Sequence, residues 1–150
     1  MTNFYVDTSA LTKRYIPEIG SAWVRSWTNR AVRNAIIVCD LTGVEVFAAC
    51  ARQHREGRLT SVRRDRLQAL FIRHMELQYF VIPVDVSIFT QARSLVNAYP
   101  LRSLDAIQLA SALHARRIVE QSITFVTADK QLRTAASNEG FTVEDPNTHP

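Results

Sequence analysis

The chain has only two cysteines, Cys39 and Cys50, and they fit no C-x-x-C spacing. Both stand in apolar stretches and read as reduced core residues of a cytosolic protein. Zinc-ligand spacing is absent. The four histidines, His54, His74, His114 and His149, are scattered, and no two are placed for acid–base cleavage through a 2′-hydroxyl. No apolar run reaches the ~18 residues that a membrane-spanning helix needs. The opening MTNFYVDTSAL has no basic stretch followed by an apolar segment and a small-residue cleavage site, so no signal peptide is expected. The motifs G-x-S-x-G, G-x-G-x-x-G and G-x-x-x-x-G-K-[ST] do not occur. Repeats, low-complexity tracts and Pro/Gly-rich linkers are missing too. Lysine is almost absent, with only Lys13 and Lys130, so the net charge of +4 is carried by arginine. Arginine meets phosphate through a bidentate fork, and the basic excess permits a nucleic-acid partner without establishing one.

What is present is an ordinary globular composition, 47% hydrophobic and 21% charged over 150 residues, which suits one domain. Strand-like and helical patterns alternate throughout. Strands are expected over Phe4–Asp7, Ala35–Cys39, Phe80–Val84, Ile123–Val126 and Phe141–Val143. Helices are expected over Ser9–Tyr15, Ser21–Arg30, Thr42–Glu56, Thr60–Tyr79, Val86–Ala98, Ser103–Val119 and Lys130–Glu139. The alternation predicts an α/β fold with a mainly parallel sheet covered on both faces, and wholly apolar strands such as AIIVC agree with it. In such sheets ligands bind at the carboxyl ends of the strands, where the strand order reverses.

Four acids fall near that edge. Asp7 ends the first strand; Ser9 precedes the apolar helical stretch and is the better helix cap, which leaves Asp7 with less local work. Glu45 interrupts the otherwise apolar LTGVEVFAA on a core-facing stripe, where a glutamate needs a partner. The bland account of Glu45 is a buried salt bridge to an arginine. Asp105 opens SLDAIQLASALHA behind Ser103, the expected cap, and shares a face with Leu109, Ala112 and Leu113. Asp129 follows the strand ITFV and begins DKQLRTAA, where N-capping explains it well. Asp40 and Asp85 also sit at strand ends but read as caps of the helices that follow.

Carboxylates drawn together repel, at ~3 kcal/mol for a pair ~5 Å apart in an effective dielectric of 20. A fold tolerates this by holding a proton or by binding a cation. Oxygen-only ligands favour Mg²⁺ or Mn²⁺, and such an ion activates water and neutralises charge on a phosphodiester. Asp7, Asp105 and Asp129 are then the expected metal ligands. Glu45 is a ligand or the acceptor of the proton from the attacking water.

YVDTSALTKRY, the glutamate in LTGVEVFAA, LRSLDAIQLASAL and FVTADKQLRTAA together resemble the PIN domain, and more narrowly the VapC-type toxins of bacterial toxin–antitoxin pairs. The likeness runs nearly end to end and in order. It implies a three-layer α/β/α sandwich, Mg²⁺- or Mn²⁺-dependent endoribonuclease activity, a homodimer, and a small antitoxin that covers the acidic site. The family's acidic quartet falls on Asp7, Glu45, Asp105 and Asp129, and its supporting hydroxyls on Ser9 and Thr127. The preference for RNA over DNA rests on this likeness, since metal-assisted hydrolysis needs no 2′-hydroxyl.

Lys13 and Arg14 follow Ser9 and are candidates for holding RNA phosphate, with Arg93 and Arg102 as further ones. Arg52, Arg55, Arg58, Arg63, Arg64 and Arg66 crowd one helix–loop–helix stretch, which reads as a phosphate-tracking or antitoxin-binding surface or, more simply, as a solvated face. Two other readings compete with the toxin: a PIN-like nuclease of RNA processing without an antitoxin, and a catalytically silent binding module whose acids are only caps and salt bridges. A phospho-receiver needs a second acid after the first strand, where this chain has Thr8 and Ser9.

Overall fold

A computed structural model describes residues 1–150. Five strands form one wholly parallel sheet in the order β3-β2-β1-β4-β5. They are β1 (Asn3–Val6), β2 (Ala35–Cys39), β3 (Tyr79–Ile82), β4 (Thr124–Val126) and β5 (Thr142–Glu144). The helices are α1 (Thr8–Leu11), α2 (Ser21–Thr28), α3 (Asp40–Arg55), α4 (Ser61–Leu77), α5 (Val86–Ala98), α6 (Ser103–Val119) and α7 (Lys130–Asn138). No helix is long and apolar enough to cross a membrane.

Alternate strand residues face opposite ways, and the two cores follow that rule. Tyr5, Ile37 and Phe125 pack with α5, α6 and α7. Val6, Ile36, Val38 and Val126 pack with α1 to α4. The result is the three-layer α/β/α sandwich. The chain steps outward from β1 to β2 and β3, then returns across α5 and α6 to lay β4 on the other side of β1. The strand order therefore reverses between β1 and β4.

Several boundaries differ from the sequence expectation for local reasons. The strand expected to run to Val84 stops at Ile82, because Pro83 has no N–H for the ladder. The helix expected over Ser9–Tyr15 is a short α-helix continued by a 3-10 turn, Thr12–Arg14. Asp40 does not cap α3 but is its first residue, since the chain turns straight from the extended Cys39 into helix. Asp85 does cap α5, accepting the Ile88 N–H at 3.2 Å. Gly20 precedes α2 with a φ of 87°, and a Cβ there would run into the Pro146 carbonyl. That close approach lets the C-terminal turn lie against α2.

Candidate active site

Val6 and Val126 are register partners in β1 and β4, so the next residues, Asp7 and Thr127, emerge side by side at the carboxyl edge of the sheet. Asp7 is 3% exposed. Its carboxylate accepts the Ala10 N–H at 3.1 Å, the Ser9 hydroxyl at 2.8 Å and the Thr127 hydroxyl at 2.9 Å. Asp7, not Ser9, caps α1. The reason is that Asp7 still has extended backbone and the helix starts directly after it, at Thr8. Ser9 is thereby free to brace the site, and its oxygen accepts the Ala128 N–H at 3.0 Å. Thr127 does the same for the Asp129 N–H at 3.0 Å. Each hydroxyl thus ties the loop after β4 to the Asp7 carboxylate.

Glu45 reaches the same place from α3. Its Oε1 accepts from the Thr8 hydroxyl at 2.8 Å and from Gln108 Nε2 at 2.9 Å. Gln108 is 2% exposed. Its Nε2 also donates to the Thr42 hydroxyl at 3.0 Å, and its Oε1 accepts from the Tyr5 hydroxyl at 2.8 Å. Sequence reasoning did not single out Gln108. The available signal was a long polar side chain one turn after Asp105 on the face of α6 that meets the sheet.

Asp105 lies in the first turn of α6. Neither Ser103, the expected cap, nor any other side chain caps this helix, because the extended residue before it is Arg102. Asp105 forms no ion pair with any base. Asp129 caps α7 by accepting the Leu132 N–H at 2.8 Å on one oxygen.

All four acids line one cavity of about 510 Å³, together with Thr8, Ser9, Arg52 and Arg102. None of the five ion pairs in the protein involves any of them. Arg52 and Arg102 stand at the same cavity without pairing directly with any of them. Burial pushes the Asp7 carboxyl up to about 7 against the pull of its Ser9, Ala10 and Thr127 donors, and Asp105 adds to the rise. Asp105 is raised by burial, then by the charges of Asp129 and Glu45, with Arg102 opposing. The acids ring the cavity and do not close on a point: no three acidic, histidine or cysteine side chains are gathered tightly enough to enclose an ion alone. A cation held there would have to be a hard one that keeps several waters and takes only one or two carboxylates directly. The arrangement does not fit a dehydrated cage or a soft metal, since neither histidine nor cysteine lines the cavity.

The basic candidates fare unequally. Arg102 lines the acid cavity, as does Arg52. Lys13 is turned inward, 4% exposed, with its ammonium on the Ile19 carbonyl at 2.9 Å and on Glu18 at 3.3 Å. It serves the loop after the 3-10 turn and does not face the cavity. Arg14 is held by Gln78 and Tyr79 and opens on a different cavity. Arg93 is exposed on α5, where it bonds to Thr90 and borders an apolar groove with Phe89 and Val96.

A parallel sheet whose switch point is ringed by carboxylates from β1, α3, α6 and the β4–α7 loop defines an α/β protein built around an acidic ligand cavity. The PIN domain pattern matches residues 4–138, and the chain belongs to the PIN domain family. It is 32% identical over 144 residues to Ribonuclease VapC47 of Mycobacterium tuberculosis (strain CDC 1551 / Oshkosh), covering 95% of this chain and 96% of that protein. Among solved structures it resembles PAE2754 from Pyrobaculum aerophilum, with a TM-score of 0.67 at 18% identity, over 98% of this chain and 91% of that one. A toxin–antitoxin complex from Klebsiella pneumoniae contains a chain that matches with a TM-score of 0.60 at 20% identity, over 96% of this chain and 98% of that one. FitAcB from Neisseria gonorrhoeae matches with a TM-score of 0.58 at 17% identity, over 95% of this chain and 97% of that one.

Proposed function

We propose that this protein is a Mg²⁺- or Mn²⁺-dependent endoribonuclease and the toxin of a type II toxin–antitoxin pair. The observation that carries the proposal is the cavity at the β1–β4 switch point, lined by four carboxylates of which none is in an ion pair. The end-to-end similarity to a ribonuclease supports the choice of substrate.

In this reading Asp7, Asp105 and Asp129 hold the ion, directly or through water. When bound, the ion supplies neutralising charge for the phosphodiester and makes water a better nucleophile. Ser9 and Thr127 fix both oxygens of Asp7. Glu45 takes the proton from the attacking water, its orientation set by Thr8 and Gln108 through one oxygen, which leaves the other for the proton. Arg102 at the cavity holds a phosphate oxygen of the substrate.

The partner reading rests on the likeness to the chain from the Klebsiella complex. A small antitoxin protein covers the acid cavity and keeps RNA out. Pairing of two copies of the chain is part of the same proposal, and the apolar Phe89, Val96 and Leu104, exposed on α5 and α6, are the surface that supports it.

Purified protein should cleave single-stranded RNA, lose the activity to a chelator and regain it with Mn²⁺. If the Asp7→Asn and Asp105→Asn proteins cut RNA as fast as the parent, the assignment is wrong.

A further inference from the structure

A second cavity, of about 480 Å³, lies where α2, α4 and the 3-10 turn meet. Four arginines line it, Arg14, Arg25, Arg30 and Arg73, with His74 and Gln78 beside them and no carboxylate among its ten lining residues. None of the four is in an ion pair. The simplest account is that α2 and α4 end here and their free carbonyls attract cations. Each helix end amounts to roughly half a negative charge, so the two together offset about one of four. The rest of the positive charge has no counterpart.

The cavity wall is also built. Arg14 donates to Gln78 Oε1 at 3.0 Å and to the Tyr79 hydroxyl at 2.7 Å, and its guanidinium lies 5.6 Å from the centre of the Tyr79 ring. Gln78 Nε2 donates to the Thr28 carbonyl at 2.7 Å, which ties the end of α2 to the end of α4. The Tyr79, Tyr15 and His74 side chains continue the chain of hydrogen bonds. Arginine has only donors. The order that gives every hydroxyl hydrogen an acceptor therefore runs from Arg14 to Tyr79, to Tyr15, to His74 Nδ1. Burial, with help from Arg14 and Arg73, holds His74 down to about 4. The ring is thus neutral at pH 7 and keeps a hydrogen on Nε2 as one more donor.

We propose that this cavity binds phosphate groups of a single RNA strand, as a second anchoring point outside the acid cavity; the choice of RNA rests on the ribonuclease reading above. Guanidinium forks suit phosphate, and the volume falls in the range of roughly 300–1,000 Å³ typical of ligand sites. Only two lining residues are hydrophobic, too few to seat the apolar face of an acidic peptide helix. The two cavities have no lining residue in common, although Thr12 of the acid cavity and Arg14 of this one belong to the same 3-10 turn.

The test uses the full chain, with chelator present, and a labelled single-stranded oligoribonucleotide followed by anisotropy over a salt series. The Arg30→Gln/Arg73→Gln double variant should bind about tenfold more weakly, with the slope of log K against log salt shallower by about 0.7 for each phosphate that is no longer neutralised. Its melting temperature should match the parent's, since both side chains are exposed. The Arg30→Lys/Arg73→Lys variant should keep the parent's slope. Parental affinity and slope in the glutamine variant would overturn the inference. So would displacement of the strand by polyglutamate as readily as by unlabelled RNA. Protection of the parent alone by inorganic phosphate or a nucleoside monophosphate, with strand binding indifferent to the arginines, would mark a free-anion site and overturn it too. The two readings fail separately. Arginine-dependent binding without Mn²⁺-stimulated cleavage sinks only the nuclease; cleavage with arginine-independent binding sinks only this site.

Discussion

The Thr127 hydroxyl donates to Asp7 Oδ2 at 2.9 Å, across 120 positions of sequence. It fastens the ends of two neighbouring strands at the point where the sheet reverses its order, and it does so on the most buried acid of the cavity. With Ser9 on the same carboxylate, it makes Asp7 a fixed point around which the more exposed acids are arranged.

At Asp105, burial and then the charges of Asp129 and Glu45 outweigh the opposing Arg102, and no ion pair would be lost with the carboxylate. Asp105→Asn should therefore abolish Mn²⁺-dependent RNA cleavage and raise the metal-free melting temperature by a few degrees, as relief of charge burial and repulsion requires. Differential scanning fluorimetry with chelator checks the second effect, and a fall in melting temperature would count against crowding of the acids.

Asp7 gives a pH signature with a definite sign. Its folded-state value, about 7, lies above its ordinary 3.8, so between those limits the folded protein holds a proton that the unfolded chain has released. Stability contributed by that proton is present at low pH and is lost as pH rises through 7. His74, lowered to about 4, works in the opposite direction over part of the same range. The clean observable is the difference between Asp7→Asn and parent: the variant should gain relative stability as pH rises from about 4 to about 7, then level off. A flat difference would mean that Asp7 titrates normally.

Gln108→Leu removes the amide that joins Tyr5, Thr42 and Glu45. Leaving buried polar partners without a bond costs about 1–3 kcal/mol, readable as a lowered denaturation midpoint. If Gln108 positions Glu45, kcat should drop with KM little changed, and Gln108→Asn should not restore it, because the shorter side chain cannot span the same partners.

Gly20→Ala should destabilise the protein by at least ~1 kcal/mol, because its φ of 87° and the Pro146 carbonyl both oppose a Cβ. RNA cleavage at low temperature should survive, since Gly20 lines neither the acid cavity nor the arginine cavity.

The alternation of apolar strands and amphipathic helices is enough to read the layers, because burial on two faces leaves runs such as AIIVC with few other homes. Three of the acids can be picked out by their position after strands and Asp105 by its place at the start of a helix, and the structure puts Asp7, Glu45, Asp105 and Asp129 around one cavity. What a linear reading cannot supply is the partner of each side chain. Ser9 and Asp7 are both good caps, and the choice turns on where β1 stops, a one-residue matter that tertiary pairing with β4 decides. Lys13 misleads for a related reason: nearness in sequence to Ser9 says nothing about which way a 3-10 turn aims its side chains. Gln108 and the arginine cavity depend on hydrogen bonds that span about 60 positions or more, and no local pattern encodes those.

The placement of β4 beside β1 also dictates when the cavity comes into being during synthesis. Strands β1, β2 and β3 emerge from the ribosome in the order in which they pair, but the central strand keeps one open flank until residues 124–126 arrive. Docking of β4 gives Asp7 its Thr127 partner and brings Asp129 to its place with it. Until then a nascent chain carries Asp7, Glu45 and Asp105 without Asp129 and without the pocket that the four acids line.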